Sequence, residues 1–135
     1  MKLSTRARYG LRVAFLLGVA KQDSPVSLPT LVKQTNLSEK YLEQLIGMLR
    51  RGGVVESVRG ANGGYYLSKP ADATTVKEVL VALDDAFDIA DCCSGKCPDE
   101  YCPNKTIFKR LYDGIDGILS STTISDMIKD YSCVR

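Results

Sequence analysis

The 135-residue chain is 44% apolar and 25% charged, the proportions of one compact domain with an appendage rather than of a disordered or fibrous sequence. Its net charge of +2 is the sum of two opposed halves: eleven Lys and Arg face four acids up to Lys69, and seven face twelve from Pro70 onward. A basic half joined to an acidic one fits a nucleic-acid-binding head with a separate regulatory or oligomerising part, the alternative on charge alone being a surface that is merely uneven.

The N-terminal MKLSTRARYG runs straight into an amphipathic pattern. No stretch is apolar and long enough for a signal peptide or a membrane span, so a cytoplasmic protein with no membrane partner is expected. From Ser4 or Thr5 as cap, Tyr9, Val13, Leu16, Leu17 and Ala20 recur at helical spacing until Asp23-Ser24-Pro25. Ser27 starts a short second helix with Leu28, Leu31 and Val32 inside. Thr35-Asn36 stops it, because Asn tolerates the left-handed conformation of a tight turn. Ser38 caps a third helix whose inner stripe is Leu42, Leu45, Ile46 and Leu49. Two short helices about a tight turn, the second capped by Ser, form a helix-turn-helix.

Residues 54–58 and 65–67 read as strands, and Arg59-Gly60-Ala61-Asn62-Gly63-Gly64 between them as the glycine-rich tip of a hairpin. Alone, such a tip is more often a plain turn; directly after a helix-turn-helix it reads as a wing. Gly60, Gly63 and Gly64 let backbone amides approach a phosphate, with Asn62 among them, and Arg59 carries a guanidinium suited to a minor groove. On the third helix Lys40, Glu43, Gln44 and Gly47 face away from the inner stripe. Ser38 and Tyr41 flank its entry, and Arg50 and Arg51 close its end. Gln pairs bidentately with adenine, Glu accepts from cytosine N4, and Lys reaches guanine or phosphate, so this face has base-reading chemistry; an ordinary solvated face is the bland alternative. Arg6, Arg8 and Arg51 are expected on phosphates.

Thr75-Val76-Lys77-Glu78 is a capping box that opens a fourth helix with Val76, Val79, Leu80 and Leu83 inside. Asp84, Asp85, Asp88 and Asp91 then lead into DCCSGKCPDEYC, which holds Cys92, Cys93, Cys97 and Cys102, four of the five cysteines. Thiols gathered on a polar loop want a soft metal, an iron-sulfur cluster or each other, and a reducing compartment disfavours a lasting disulfide. The intervals from Cys93 to Cys97 and from Cys97 to Cys102 also suit structural zinc. From about Asn104, Ile107 or Phe108, Leu111, Ile115, Ile118 and Leu119 mark a long helix whose stripe exceeds what so small a head can cover. Crossing with its copy in a second chain is the expected answer, with some folding back on its own head. Thr123 caps a last short helix through Ile124 and Ile128, leaving Tyr131 and an incidental Cys133 on a tail.

KLSTRARYGLR, LSEKYLEQLIGMLRRGGVV, SVRGANGGYYLS and three spaced cysteines before a long helix resemble, in that order and over nearly the whole chain, the IscR and CymR family of bacterial winged-helix repressors. The resemblance implies a homodimer on imperfect palindromic double-stranded DNA, with the dimer helix crossing its mate and the cysteine loop beside it. For the cluster-bearing members it implies a [2Fe–2S] cluster on three loop cysteines, matched here by Cys92, Cys97 and Cys102; the members governing cysteine metabolism lack that triple. Two departures stand out. The family's histidine three residues after the last cysteine is Lys105 here, a cation that rarely ligates metal, and the spacing is tighter, with Cys93 as an added thiol. Either Cys93 makes the site all-thiolate, or a carboxylate such as Asp91, Asp99 or Glu100, or a group outside the loop, completes it.

Nothing points to an enzyme: the chain has no histidine for general-base work, no nucleotide loop and no paired carboxylates on a recognisable scaffold. The expected fold is mainly α with a small β-hairpin wing. A winged helix-turn-helix head covers residues 1–83, a cysteine-rich cluster loop 84–104, and a dimerisation helix with its tail 105–135. The expected function is that of an IscR-type homodimeric transcriptional regulator, sensing iron-sulfur cluster status or redox and controlling iron-sulfur assembly genes, with room for a regulatory protein partner. The alternatives are a CymR-like, zinc- or thiol-based repressor of cysteine metabolism, and a small electron carrier or interaction module.

Overall fold

A computed structural model describes residues 2–21, 23–83, 90 and 93–134. These residues form α1 (Thr5–Val19), α2 (Leu28–Thr35), α3 (Glu39–Arg51), β1 (Val55–Val58), β2 (Gly64–Leu67), α4 (Val76–Ala82), α5 (Lys105–Ser121) and α6 (Ile124–Val134). The acidic run Asp84, Asp85, Asp88 and Asp91, together with Cys92, lies outside the described residues.

Serines start the first three helices, each hydroxyl satisfying one orphan amide. Ser4 accepts from the Ala7 N–H at 3.0 Å, Ser27 from Thr30 at 3.3 Å and Ser38 from Tyr41 at 3.2 Å. Asn36 ends α2 at φ 57°, ψ 29°, its amide closing on the Val32 carbonyl at 2.8 Å. This left-handed residue reverses the chain, and α3 lays Leu42, Leu45, Ile46 and Leu49 into the core.

The inner face of α1 departs from expectation. Ala7, Gly10, Val13, Ala14 and Leu17 are buried, while Tyr9, Leu16 and Ala20 are half-buried at its flank. The cause is close approach: a Cβ on Gly10 would land on the Leu83 side chain just after α4, so small residues take the contact line.

The strands β1 and β2 pair antiparallel, with Val55 opposite Leu67 and Val58 opposite Gly64. Val55 and Leu67 turn into the core, and Val26 exchanges two backbone bonds of 2.9 Å with Tyr65. The hairpin is thereby pinned to the residue that precedes α2.

The capping box opens α4 as the sequence indicates: Thr75 Oγ1 accepts from the Glu78 amide at 3.2 Å, and Glu78 Oε2 accepts from the Thr75 amide at 2.8 Å. Val76, Val79, Leu80 and Leu83 are all buried. At the other end of the chain, Thr123 and Asp126 cap α6 reciprocally, at 2.9 and 3.1 Å. Residues expected on a tail are instead helical, because α6 continues to Val134 and Tyr131 meets Phe15 edge-on, with ring centroids 5.4 Å apart. Backbone bonds from Val76 to Thr122, Ile124 to Thr74 and Ser125 to Ala71, of 2.8, 2.9 and 3.0 Å, stitch the start of α6 onto the head. Ile124 is fully buried in the same core as α1, α3 and the hairpin.

The long helix α5 stands apart, with no buried residue. Lys77 pairs with Asp116 at 2.8 Å to tie it to α4, and Leu119 packs on Ala7, Val76 and Leu80. Along the rest of its stripe Ile107, Leu111 and Ile118 are 47%, 42% and 64% exposed.

Candidate nucleic-acid interface and cysteine loop

The outward face of α3 carries exposed Lys40, Glu43 and Gln44, opposite the buried leucines, and exposed Arg50 and Arg51 at its end, where cations complement the helix dipole. Tyr41 is half-buried, its ring edge-on to Tyr9 with centroids 6.3 Å apart, so it serves the packing of α3 on α1. Ser38 spends its hydroxyl on the cap. Arg6 and Arg8 are exposed in the first turns of α1, and Arg59, Gly60 and Asn62 are exposed at the hairpin tip.

Half-buried Gly63 and Gly64 have a structural explanation of their own. The Gly63 amide closes the turn on the Gly60 carbonyl at 3.0 Å, and a Cβ on Gly64 would come within 2.5 Å of the Val26 carbonyl oxygen. What the tip offers a partner through side chains is therefore Arg59 and Asn62.

Among the described residues the ion pairs are Lys69 with Glu78, Lys77 with Asp116 and Lys109 with Asp113. None uses Arg6, Arg8, Lys40, Arg50, Arg51 or Arg59. Six cations of the head thus have small solution ions as their counter-charge, which a polyanion displaces on binding. One carboxylate in the hairpin is engaged: Glu56 accepts from the Tyr66 phenol at 2.8 Å, and that bond raises the Tyr66 pKa above its ordinary value. Sequence reasoning missed this pair; the strand register, which sets Glu56 opposite Tyr66, is the signal that finds it.

In the loop before α5, Cys93, Cys97 and Cys102 are half-buried free thiols, and Cys133 is exposed. The Cys93 thiol donates to the Phe108 carbonyl at 3.5 Å, against α5. Cys102 accepts the Lys105 amide at 3.1 Å through its own carbonyl and so sits on the turn that opens α5. Lys105 is exposed at the first position of that helix, and Asp99 accepts from the Tyr101 amide at 3.0 Å. No three His, Cys, Asp or Glu converge on a metal-sized site among the described residues. By chemistry the donors fit a soft metal, being reduced, half-buried thiols on a short loop.

A protein-family model described as "Rrf2: Iron-dependent Transcriptional regulator" matches residues 3–130. The chain belongs to the Rrf2 family. Its relatives there include the HTH-type transcriptional regulator CymR of Bacillus subtilis, 36% identical over 94% of this chain and 89% of that protein. The HTH-type transcriptional regulator IscR of Photorhabdus laumondii is 33% identical over 96% of this chain and 80% of that protein. Solved structures agree: CymR, the global cysteine regulator of B. subtilis, superposes with a TM-score of 0.81 at 35% identity over 94% of this chain and 95% of that one. IscR of T. potens superposes with a TM-score of 0.79 at 34% identity, covering 97% and 88%. This Rrf2 protein is therefore a winged helix-turn-helix, DNA-binding transcriptional regulator and not an enzyme. No helix among its described residues is long and apolar enough to cross a membrane.

Proposed function

We propose that this regulator acts as a homodimer on an imperfect palindrome and that its cysteine loop carries an iron-sulfur cluster whose status it reports, as IscR-type control of iron-sulfur assembly genes requires. The DNA part rests on the six unpaired cations around the exposed face of α3. In this reading Gln44, Glu43 and Lys40 meet base edges, Arg59 and Asn62 enter the adjacent minor groove, and Arg6, Arg8 and Arg51 hold phosphates. Residues 1–83 are the DNA-binding head, 84–104 the cluster loop and 105–135 the dimerising part, with the bare apolar stripe of α5 facing its copy.

Cys92, Cys97 and Cys102 are the ligands that the family pattern implies, and Cys93 is the candidate fourth. When bound, a [2Fe–2S] cluster supplies a redox-responsive charge beside the dimer helix. The chain's own contribution is to tie Cys102, through its carbonyl, to the Lys105 amide at the start of α5, so that ligand position and helix position are coupled. A second, CymR-like reading has the thiols act directly, and the bond from Cys93 to the Phe108 carbonyl favours it. Visible absorption and iron and sulfide content of protein purified without oxygen separate the two. The cluster reading expects a coloured protein that Cys97→Ala and Cys102→Ala bleach and Cys133→Ala spares. A colourless protein, with or without zinc, overturns it and leaves the DNA reading standing.

A further inference from the structure

Outside the residues assigned to DNA or metal, α1 and α6 border a cavity of about 540 Å³ lined by Arg12, Phe15, Leu16, Met127, Asp130 and Tyr131. That volume lies within the range of small-molecule sites. Phe15 and Tyr131 form one wall, their rings edge to face at 5.4 Å and 76°, and Leu16 and Met127 extend it with aliphatic and thioether surface. Two charges of opposite sign share this apolar lining, and neither Arg12 nor Asp130 is in an ion pair among the described residues. Arg12 spends one N–H on the Gln34 carbonyl at 3.3 Å, which leaves guanidinium donors over.

A guanidinium and a carboxylate that line one cavity without bridging each other are matched by a ligand bearing both complementary charges close together, with an apolar remainder for the rings. We propose that this cavity binds a free α-amino acid with an aromatic or large aliphatic side chain. Its carboxylate meets Arg12, its ammonium meets Asp130, and its side chain lies against Phe15, Met127 and Tyr131. The position also gives the ligand a lever on DNA. Arg12 is bonded to the end of α2, the first helix of the helix-turn-helix, and Asp130 belongs to α6, so an occupant clamps the two.

Isothermal titration of the full chain with L-phenylalanine, L-leucine and L-methionine tests this without DNA or a cluster, so its outcome is independent of the proposed function. At least one is expected to bind with Kd below about 1 mM. Its amide, which lacks the carboxylate, and its N-acetyl derivative, which lacks the ammonium, are each expected to bind about tenfold more weakly or worse. Arg12→Gln and Asp130→Asn, both at exposed positions, are expected to impose a loss of the same size, and Lys33→Gln on the surface of α2 none. Absence of binding by all three amino acids, equal binding of a blocked derivative to the unchanged protein, or unaltered affinity in either charge variant overturns the proposal.

Discussion

Glu78 closes the capping box of α4 and pairs with Lys69, and the bond to Lys69 is the larger reason its carboxyl stays below the ordinary carboxylate range, the Thr75 amide being the next. A folded-state pKa below the unfolded value means that the stabilisation is present at neutral pH and is lost as pH falls through the carboxylate range. Glu78→Gln should therefore lower Tm more at pH 7 than at acid pH, the difference shrinking as pH falls through the carboxylate range; an equal loss across that range contradicts the assignment. Thr75→Ala should cost about 1 kcal/mol in urea unfolding. On the proposed DNA face the expected effects differ in kind. Gln44→Ala should cost about 1–3 kcal/mol on the operator and relax preference at one base pair, whereas Arg51→Ala should weaken all sequences alike and reduce the salt slope by about 1. Gel shifts on operator and scrambled DNA across a salt series read both, and identical behaviour of the two variants sinks the division of roles. Caps at Ser4, Ser27, Ser38 and Thr75 were legible in the sequence because partner and cap lie three residues apart. The contact of Tyr41 with Tyr9 was not, since only the tertiary fold brings α1 and α3 together, and the pair of Tyr66 with Glu56 was missed because it needs the exact register of the hairpin.

At the scale of elements, α5 is the helix whose composition and surroundings disagree. Its apolar residues follow helical spacing, yet none is buried. Replacing Leu111 and Ile118 together with Glu should convert a dimer to monomers in sedimentation velocity while far-UV circular dichroism keeps its helical signal, because no intramolecular core contact is removed. A wild-type monomer at micromolar concentration contradicts this. The opposite holds on α1, where Gly10→Ala should destabilise by about 1–3 kcal/mol through overpacking against Leu83, a loss that thermal unfolding reads. The α3 stripe was legible in full because large aliphatic residues mark it. The α1 stripe was legible in Val13 and Leu17 but missed Ala7, Gly10 and Ala14, since small residues on a contact line give little hydrophobic signal. The C-terminal residues were taken for a tail although Tyr131 lies three residues beyond Ile128 and so continues the helical spacing of Ile124 and Ile128; α6 runs on through it to Val134, with Tyr131 against Phe15 of α1.

For the whole molecule, the division of charge seen in composition reappears as geometry: every ion pair among the described residues lies from Lys69 onward, and the six cations proposed to meet DNA have none. The close spacing of the loop cysteines was legible in the sequence, but the placement of the Cys93 thiol against the Phe108 carbonyl was not, since loop geometry depends on contacts no local pattern encodes. The stitching of Thr122, Ile124 and Ser125 onto Thr74, Val76 and Ala71 carries a mechanical consequence. α5 departs from the head through the cysteine loop and is riveted back to the same body just beyond its last turn. An arm bolted at its far end has no slack: were two such arms to cross in the proposed dimer, a pivot of a few degrees at the crossing would pass into both heads as rigid rotation and change the span between the two α3 helices rather than dissipate in a hinge.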